Sequence, residues 1–301
     1  MNSVSTGEKQ TVVFDDSGLE ASLDFLRNRS DQNLQEVIAA PGNKLAYTHY
    51  LWSHYNAKLS EAEFWHEQLS GILWSAEFEH NINSVRKYLL KQGRAKWLKE
   101  VLRYLPRRHF FNTTVCLNLG YDHIVFGENV ALNINSRQFG VDKRESIYYL
   151  IHELAHAGYV RYHSLPNLWT AKTNGELVLI VRFLTHLEGM GVLSALRLRI
   201  AEHGLLDNDY RVLLNDGEKI KRVRQYFKLL VPLEKDPEEK IEGSVEHLYN
   251  MMSGRKTRLW YITGCHMAQE IEKHLGLEPL RNLVKQGSAA FFNTYLETAH
   301  P

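Results

Sequence analysis

His152-Glu153-Leu154-Ala155-His156 puts two imidazoles and a carboxylate inside five consecutive residues, at a spacing that suits a metal. On an α-helix, residues four apart are separated by ~40° of rotation and ~6 Å of rise, so His152 and His156 can present their rings to one cation. Glu153 lies ~100° round from His152, outside the coordination shell but beside a water that the metal would acidify, where a carboxylate can take a proton. The chemistry this predicts is metal-assisted hydrolysis with one Zn2+ per chain. Tyr149, Tyr159 and His163 fall on the same side of the helical wheel as the two histidines, and Ile147, Leu150, Ile151 and Leu154 form an apolar stripe opposite. The expectation is that the histidines face a cleft and the stripe faces the core.

A catalytic zinc needs a third protein ligand and one open position. The metzincin continuation of the motif would require glycine at 159 and histidine at 162. This chain has Tyr159 and Tyr162, with His163 one place off register. Two downstream glutamates remain as candidates. Glu176 sits at the start of its predicted helix, whereas Glu188 lies in the middle of an apolar segment, in Glu188-Gly189-Met190-Gly191. A carboxylate there needs a partner, because burial without one is costly or removes the charge. Glu188 is the expected third ligand, the competing assignment being an ion pair with Arg182. Gly189 and Gly191 would let this helix approach the histidine helix closely. His186 points to the other side and reads as structural.

The elements that must position these groups follow from the rest of the pattern. A short strand over residues 11–14 precedes helical segments, with Ser17 opening the first, Pro41-Gly42-Asn43 reading as a turn, and Ser60 with Glu63 forming a capping box. Residues 85–90 and 97–105 carry apolar side chains at helical spacing. After Phe110 the pattern changes: residues 113–120 and 129–136 are short, β-branched and roughly alternating, with Gly120, Asp122 and Gly127 between them, which predicts a small antiparallel sheet. Asp142, with Glu145 three residues on, opens the histidine helix. Residues 176–203 are apolar nearly all round, the mark of a helix buried through a domain. A polar helix pair over 207–230 follows, then Pro232 and an exposed charged connection over 234–240. Helices over 257–274 and 278–286 come last, punctuated by Gly276 and Gly287. The fold class expected is α+β, mainly α. A helical lobe over 1–108 would precede a catalytic domain over 109–301, with the sheet and histidine helix in 109–165 and a helical lobe in 173–301.

Composition excludes several classes of function. With 36 basic and 35 acidic side chains the formal net charge is +1, so no global field favours nucleic acid or an anionic membrane. The longest apolar run, 177–184, is broken by Arg182 and is far shorter than the ~20 residues that span a bilayer. Cys116 and Cys265 supply neither a disulfide framework nor a zinc knuckle. Residues 1–10 are polar and lack the apolar segment of a secretory signal. The expectation is a cytoplasmic protein with a peptide or protein substrate and no nucleic-acid or membrane partner. No pattern encodes its oligomeric state.

With His152, Glu153, His156 and a downstream Glu188 before a glycine, the chain resembles the gluzincin metallopeptidases, the thermolysin-like branch, and especially their uncharacterised zinc-dependent members. The resemblance runs from about residue 113 to the end, and its sharp part is the HExxH motif. It implies a zincin-like catalytic domain and peptide-bond hydrolysis. It implies too that an edge strand before the metal helix pairs with extended substrate, a role falling on residues 129–136. A Tyr or His from the C-terminal lobe would hold the oxyanion. Tyr261 is the first choice and His266 the second, both within Trp260-Tyr261-Ile262-Thr263-Gly264-Cys265-His266. Gly158 departs from the hydrophobic residue common two places after the second histidine.

Two rival readings use the same residues. Glu-x-x-His pairs occur at Glu63/His66, Glu77/His80 and Glu153/His156, the spacing of helical di-iron carboxylate proteins. A non-catalytic interaction protein with a closed, four-ligand zinc site is the other, although an intact Glu153 has no purpose in such a site.

Overall fold

The computed structural model describes residues 11–54, 57–241, 245–254 and 256–299; the polar stretch 1–10 lies outside them. The elements in chain order are β1 (Thr11–Asp15), α1 (Ser17–Arg27), α2 (Asp31–Ala39), α3 (Pro41–Ser53), α4 (Glu61–Ser70), α5 (Ala76–Lys91), α6 (Arg94–Tyr104), β2 (Asn112–Asn118), β3 (Ile124–Phe126), β4 (Asn129–Asn133), α7 (Arg137–Val141), α8 (Arg144–Val160), α9 (Asn174–Ala201), α10 (Asn208–Leu213), α11 (Asp216–Lys235), α12 (Val245–Ser253), α13 (Leu259–Leu275), α14 (Leu277–Gln286) and α15 (Ser288–Ala299). The molecule is α+β and mainly helical, as its periodicity predicts. The Ser60 capping box forms at the start of α4. Pro41 is not in a turn but at the first position of α3, where its missing N–H and fixed φ suit a helix start. Pro232 lies inside α11 instead of ending it.

The sheet is mixed, not antiparallel. Its order is β1-β2-β4-β3, with β1/β2 and β2/β4 parallel and only β3/β4 antiparallel. Helices α1–α6 supply the long crossover that parallel β1 and β2 require. Beyond β2, residues 119–123 carry the chain to the far edge of the sheet. A turn at Gly127 (φ 59°), the left-handed region glycine favours, folds β3 back onto β4, and β4 fills the gap beside β2. Strand β4 is therefore interior, and the role expected of residues 129–136 as a free edge does not hold. Among the described residues the sheet's edges are β1 and the antiparallel β3. Because β1 belongs to the N-terminal segment, the sheet spans the 108/109 position.

Helix α8 packs against β3 and β4 with Leu150, Ile151 and Leu154 fully buried, each stabilising by roughly 1.5–3 kcal/mol relative to exposure. Helix α9 is the core helix. It is long and apolar enough to cross a bilayer by length and composition, but 72% of its most apolar window is buried inside the protein. Helices α8 and α13 both pack along it. Where α9 crosses α13, Gly189 meets Gly264; a Cβ on Gly264 would come within 2.0 Å of the Thr185 carbonyl oxygen. A buried ion pair ties α8 to α9: Arg199 Nη1 lies 2.7 Å from Glu145, with both side chains essentially inaccessible.

Candidate metal centre

Helix α8 carries His152, Glu153 and His156 at its middle, and α9 brings Glu188 against them. His152 Nε2 lies 3.1 Å from Glu188 Oε2, His156 Nε2 lies 3.1 Å from the same oxygen, and the two ring nitrogens are 2.8 Å apart. Four ligands at ~2.0–2.1 Å in a tetrahedron are about 3.3 Å from one another. The observed triangle fits that dimension, and three protein donors leave one position for water. Among the described residues this is the one group of three or more His, Cys, Asp or Glu side chains that could hold a metal. Burial itself disfavours a charged Glu188, yet the two imidazoles hold its carboxyl well below the usual range. A donor set of two imidazoles and an ionised carboxylate is what zinc takes in hydrolases.

Local sequence explains the convergence. Gly191, three residues past Glu188, faces both imidazoles with no side chain in their way. Gly189 serves a different contact from the one expected, since it faces Gly264 of α13 rather than α8. Glu176 is no ligand: its backbone N–H donates to the Thr173 hydroxyl and its carboxylate accepts from Lys172 N–H, a cap for α9. Arg182 pairs with Glu234 at 2.7 Å and leaves Glu188 to the histidines. His186, buried against the Phe291 ring at 4.0 Å and bonded through Nδ1 to the Tyr159 hydroxyl at 2.8 Å, is structural.

The histidines do not line a wide cleft. Side-chain exposure is 12% for His152, 8% for His156 and 16% for Glu188. Tyr159 is buried and the His163 ring meets the Val284 carbonyl, so this flank of α8 is covered by α9 and α14. Glu153 is buried beside the donors and, among the described residues, makes no hydrogen bond. Burial pushes its carboxyl up to about 8, with Glu188 and Asp122 adding to the rise and His156 and Arg258 opposing it. Burial and the neighbouring His156 push His152 down to about 4, which favours the neutral ring that coordinates metal.

Tyr261 joins this group and His266 does not. The Tyr261 ring stacks at 6.4 Å on His152, 24° from parallel. His266, five residues along α13, turns to another face and lies against Tyr295 of α15. Sequence reasoning missed Arg258, whose guanidinium sits 3.4 Å over the Tyr261 ring and donates through Nε and Nη2 to Asp209. The available signal was a cation at the start of an apolar helix, where the macrodipole disfavours one. His123 was missed too; its ring meets Tyr149, whose hydroxyl donates to Asp207 at 2.9 Å. The di-iron reading fails on placement. Glu63 is an exposed cap bonded to Ser60, and His66, Glu77 and His80 are on the surface.

Fold and site together define a mainly helical protein with a small mixed sheet and three side chains that could hold a metal ion. The chain matches, over residues 34–300, the family described as "Putative zinc dependent peptidase (DUF5700)", and it belongs to that family. No curated protein and no solved structure matches it.

Proposed function

We propose that the chain is a mononuclear zinc peptidase of gluzincin type that cleaves peptide bonds with Glu153 as general base. The observation that carries the reading is the closed triangle of His152 Nε2, His156 Nε2 and Glu188 Oε2, with edges of 2.8–3.1 Å, formed by two helices with buried Glu153 next to it in sequence. His152, His156 and Glu188 would hold the zinc ion, which would supply Lewis acidity toward a water and the scissile carbonyl. Glu153 then accepts the proton of the attacking water at its carboxylate and passes it to the leaving amine. Tyr261, whose ring stacks on His152, would donate to the developing oxyanion, and His266, on another face of α13, would not. An extended substrate would pair with the outer side of β3, the antiparallel edge of the sheet, instead of β4. With three protein donors in place, the site is suited to catalysis more than to a closed structural role.

The deciding experiment is Glu153→Gln. The variant keeps about one zinc per chain and loses peptide hydrolysis by several orders of magnitude. Retained hydrolysis would remove Glu153 from the reaction.

A further inference from the structure

Arg258 has features that a purely structural cation does not need. It precedes the first residue of α13 with φ 49°, a left-handed conformation that costs a non-glycine residue on the order of 1 kcal/mol or more. Its side chain is only partly exposed. It folds back so that the guanidinium lies 3.4 Å over the Tyr261 ring, and that ring stacks on the metal-site His152. One edge of the guanidinium is anchored: Nε and Nη2 donate to the same oxygen of buried Asp209, at 3.3 and 3.2 Å. No hydrogen bond engages Nη1 among the described residues, and the side chain keeps 29% of its exposure. An anchored guanidinium with a free, partly exposed edge, one ring away from a candidate metal ligand, is a fork held ready for a second carboxylate.

The surroundings agree with an anionic guest. Glu153 and Glu188 would repel a substrate carboxylate placed on their side, whereas the Arg258 cation over the Tyr261 ring would attract one. We propose that Arg258 is a specificity-determining residue that binds a carboxylate next to the scissile bond, either the substrate's own C-terminal carboxylate or an acidic side chain. The proposal rests on the peptidase reading above and deepens it by naming a substrate class. It does not place Arg258 in the bond-breaking step.

The test uses zinc-loaded full-length protein and matched blocked peptides. One pair ends in a free carboxylate or an amide, and a second pair is amidated and carries Glu or Gln beside the cleaved bond. The wild type prefers the carboxylate member of one pair by about 10- to 100-fold in kcat/KM, mainly through KM, the size of one charge-assisted pair. Which pair shows the preference identifies the source. In Arg258→Gln the acid-to-amide ratio falls to about 1 while zinc content stays as in the wild type, and the melting transition drops because buried Asp209 loses its cation; Arg258→Lys, which keeps the charge, gives an intermediate ratio with a smaller drop. Independently of turnover, zinc-loaded Glu153→Gln binds the acid product of such a peptide at least about tenfold more tightly than its amide by calorimetry, and the Arg258→Gln double variant does not. Hydrolysis with equal rates for acid and amide, or a ratio unchanged in Arg258→Gln, overturns the Arg258 assignment and leaves the peptidase reading intact. Absence of hydrolysis of every peptide, with acid-selective binding retained, contradicts the peptidase reading instead.

Discussion

Gly191 lies edge-on to His156: a Cβ added at position 191 would come within 2.8 Å of His156 Cε1 and within 2.9 Å of His152 Cε1. The carboxylate helix can bring Glu188 to the imidazoles only because nothing projects from the next turn. Gly191→Ala therefore pushes the rings apart while its helix, for which alanine is the better former, persists. Zinc affinity drops by on the order of 10- to 100-fold, the usual effect of disturbing the groups that orient metal ligands. Competition against a chromophoric chelator measures it, with circular dichroism checking the fold.

The Gly189–Gly264 crossing predicts a different failure. A Cβ on Gly264 meets backbone, the Thr185 carbonyl oxygen at 2.0 Å and Gly189 Cα at 2.8 Å, so no side chain can move aside to relieve it. Gly264→Ala should destabilise the protein by about 1–3 kcal/mol or more in urea unfolding. An unchanged midpoint would mean that α9 and α13 are not in contact there.

Glu145 and Arg199 predict a non-additive pair. Both side chains are buried, and Arg199 also lies 4.5 Å below the Tyr148 ring and 4.0 Å from the Tyr210 ring. Glu145→Ala leaves the buried guanidinium with only the more distant Asp207, at 3.9 Å, and should cost about 3 kcal/mol. Adding Arg199→Met to it recovers much of that loss, because no unpaired charge remains. Chemical denaturation of the four proteins of the cycle measures the coupling.

Acid should destabilise the fold through histidines held neutral. Burial, with help from Arg161 and Lys285, pushes His109 down to about 4, and burial pushes His49 down to about 4 as well. The unfolded chain takes up these protons near pH 6.5 and the folded chain only near pH 4. Stability is therefore complete above pH 6.5 and declines as pH falls toward 4, by up to about 3 kcal/mol per group. Measured on metal-free protein in chelator, His109→Gln should flatten the pH dependence over this window.

How much of this could be read without coordinates depends on the range of the interaction. His152, Glu153 and His156 are fixed by helical spacing alone, and Glu188 was legible because a carboxylate amid apolar residues demands a partner. The capping box at Ser60 and the buried character of α9 were equally local. Strand direction was not local: whether β2 and β4 run parallel depends on where residues 119–123 carry the chain, and nothing in their composition states it. The orientation of Tyr261 toward His152 and of His266 away from it depends on the face α13 turns to α9, which Gly264 settles by contact with Gly189. Arg258 escaped because its partner Asp209 is 49 residues away in the chain.

Zinc K-edge absorption on wild type and Glu188→Ala tests the centre itself. The wild type should hold about one zinc per chain, coordinated by two imidazole nitrogens at about 2.0–2.1 Å and by oxygen at about 2.0–2.2 Å to a total of four. In Glu188→Ala the bound zinc should fall to a small fraction under the same dialysis. A coordination shell with sulfur, or one unchanged when Glu188 is removed, would contradict the account.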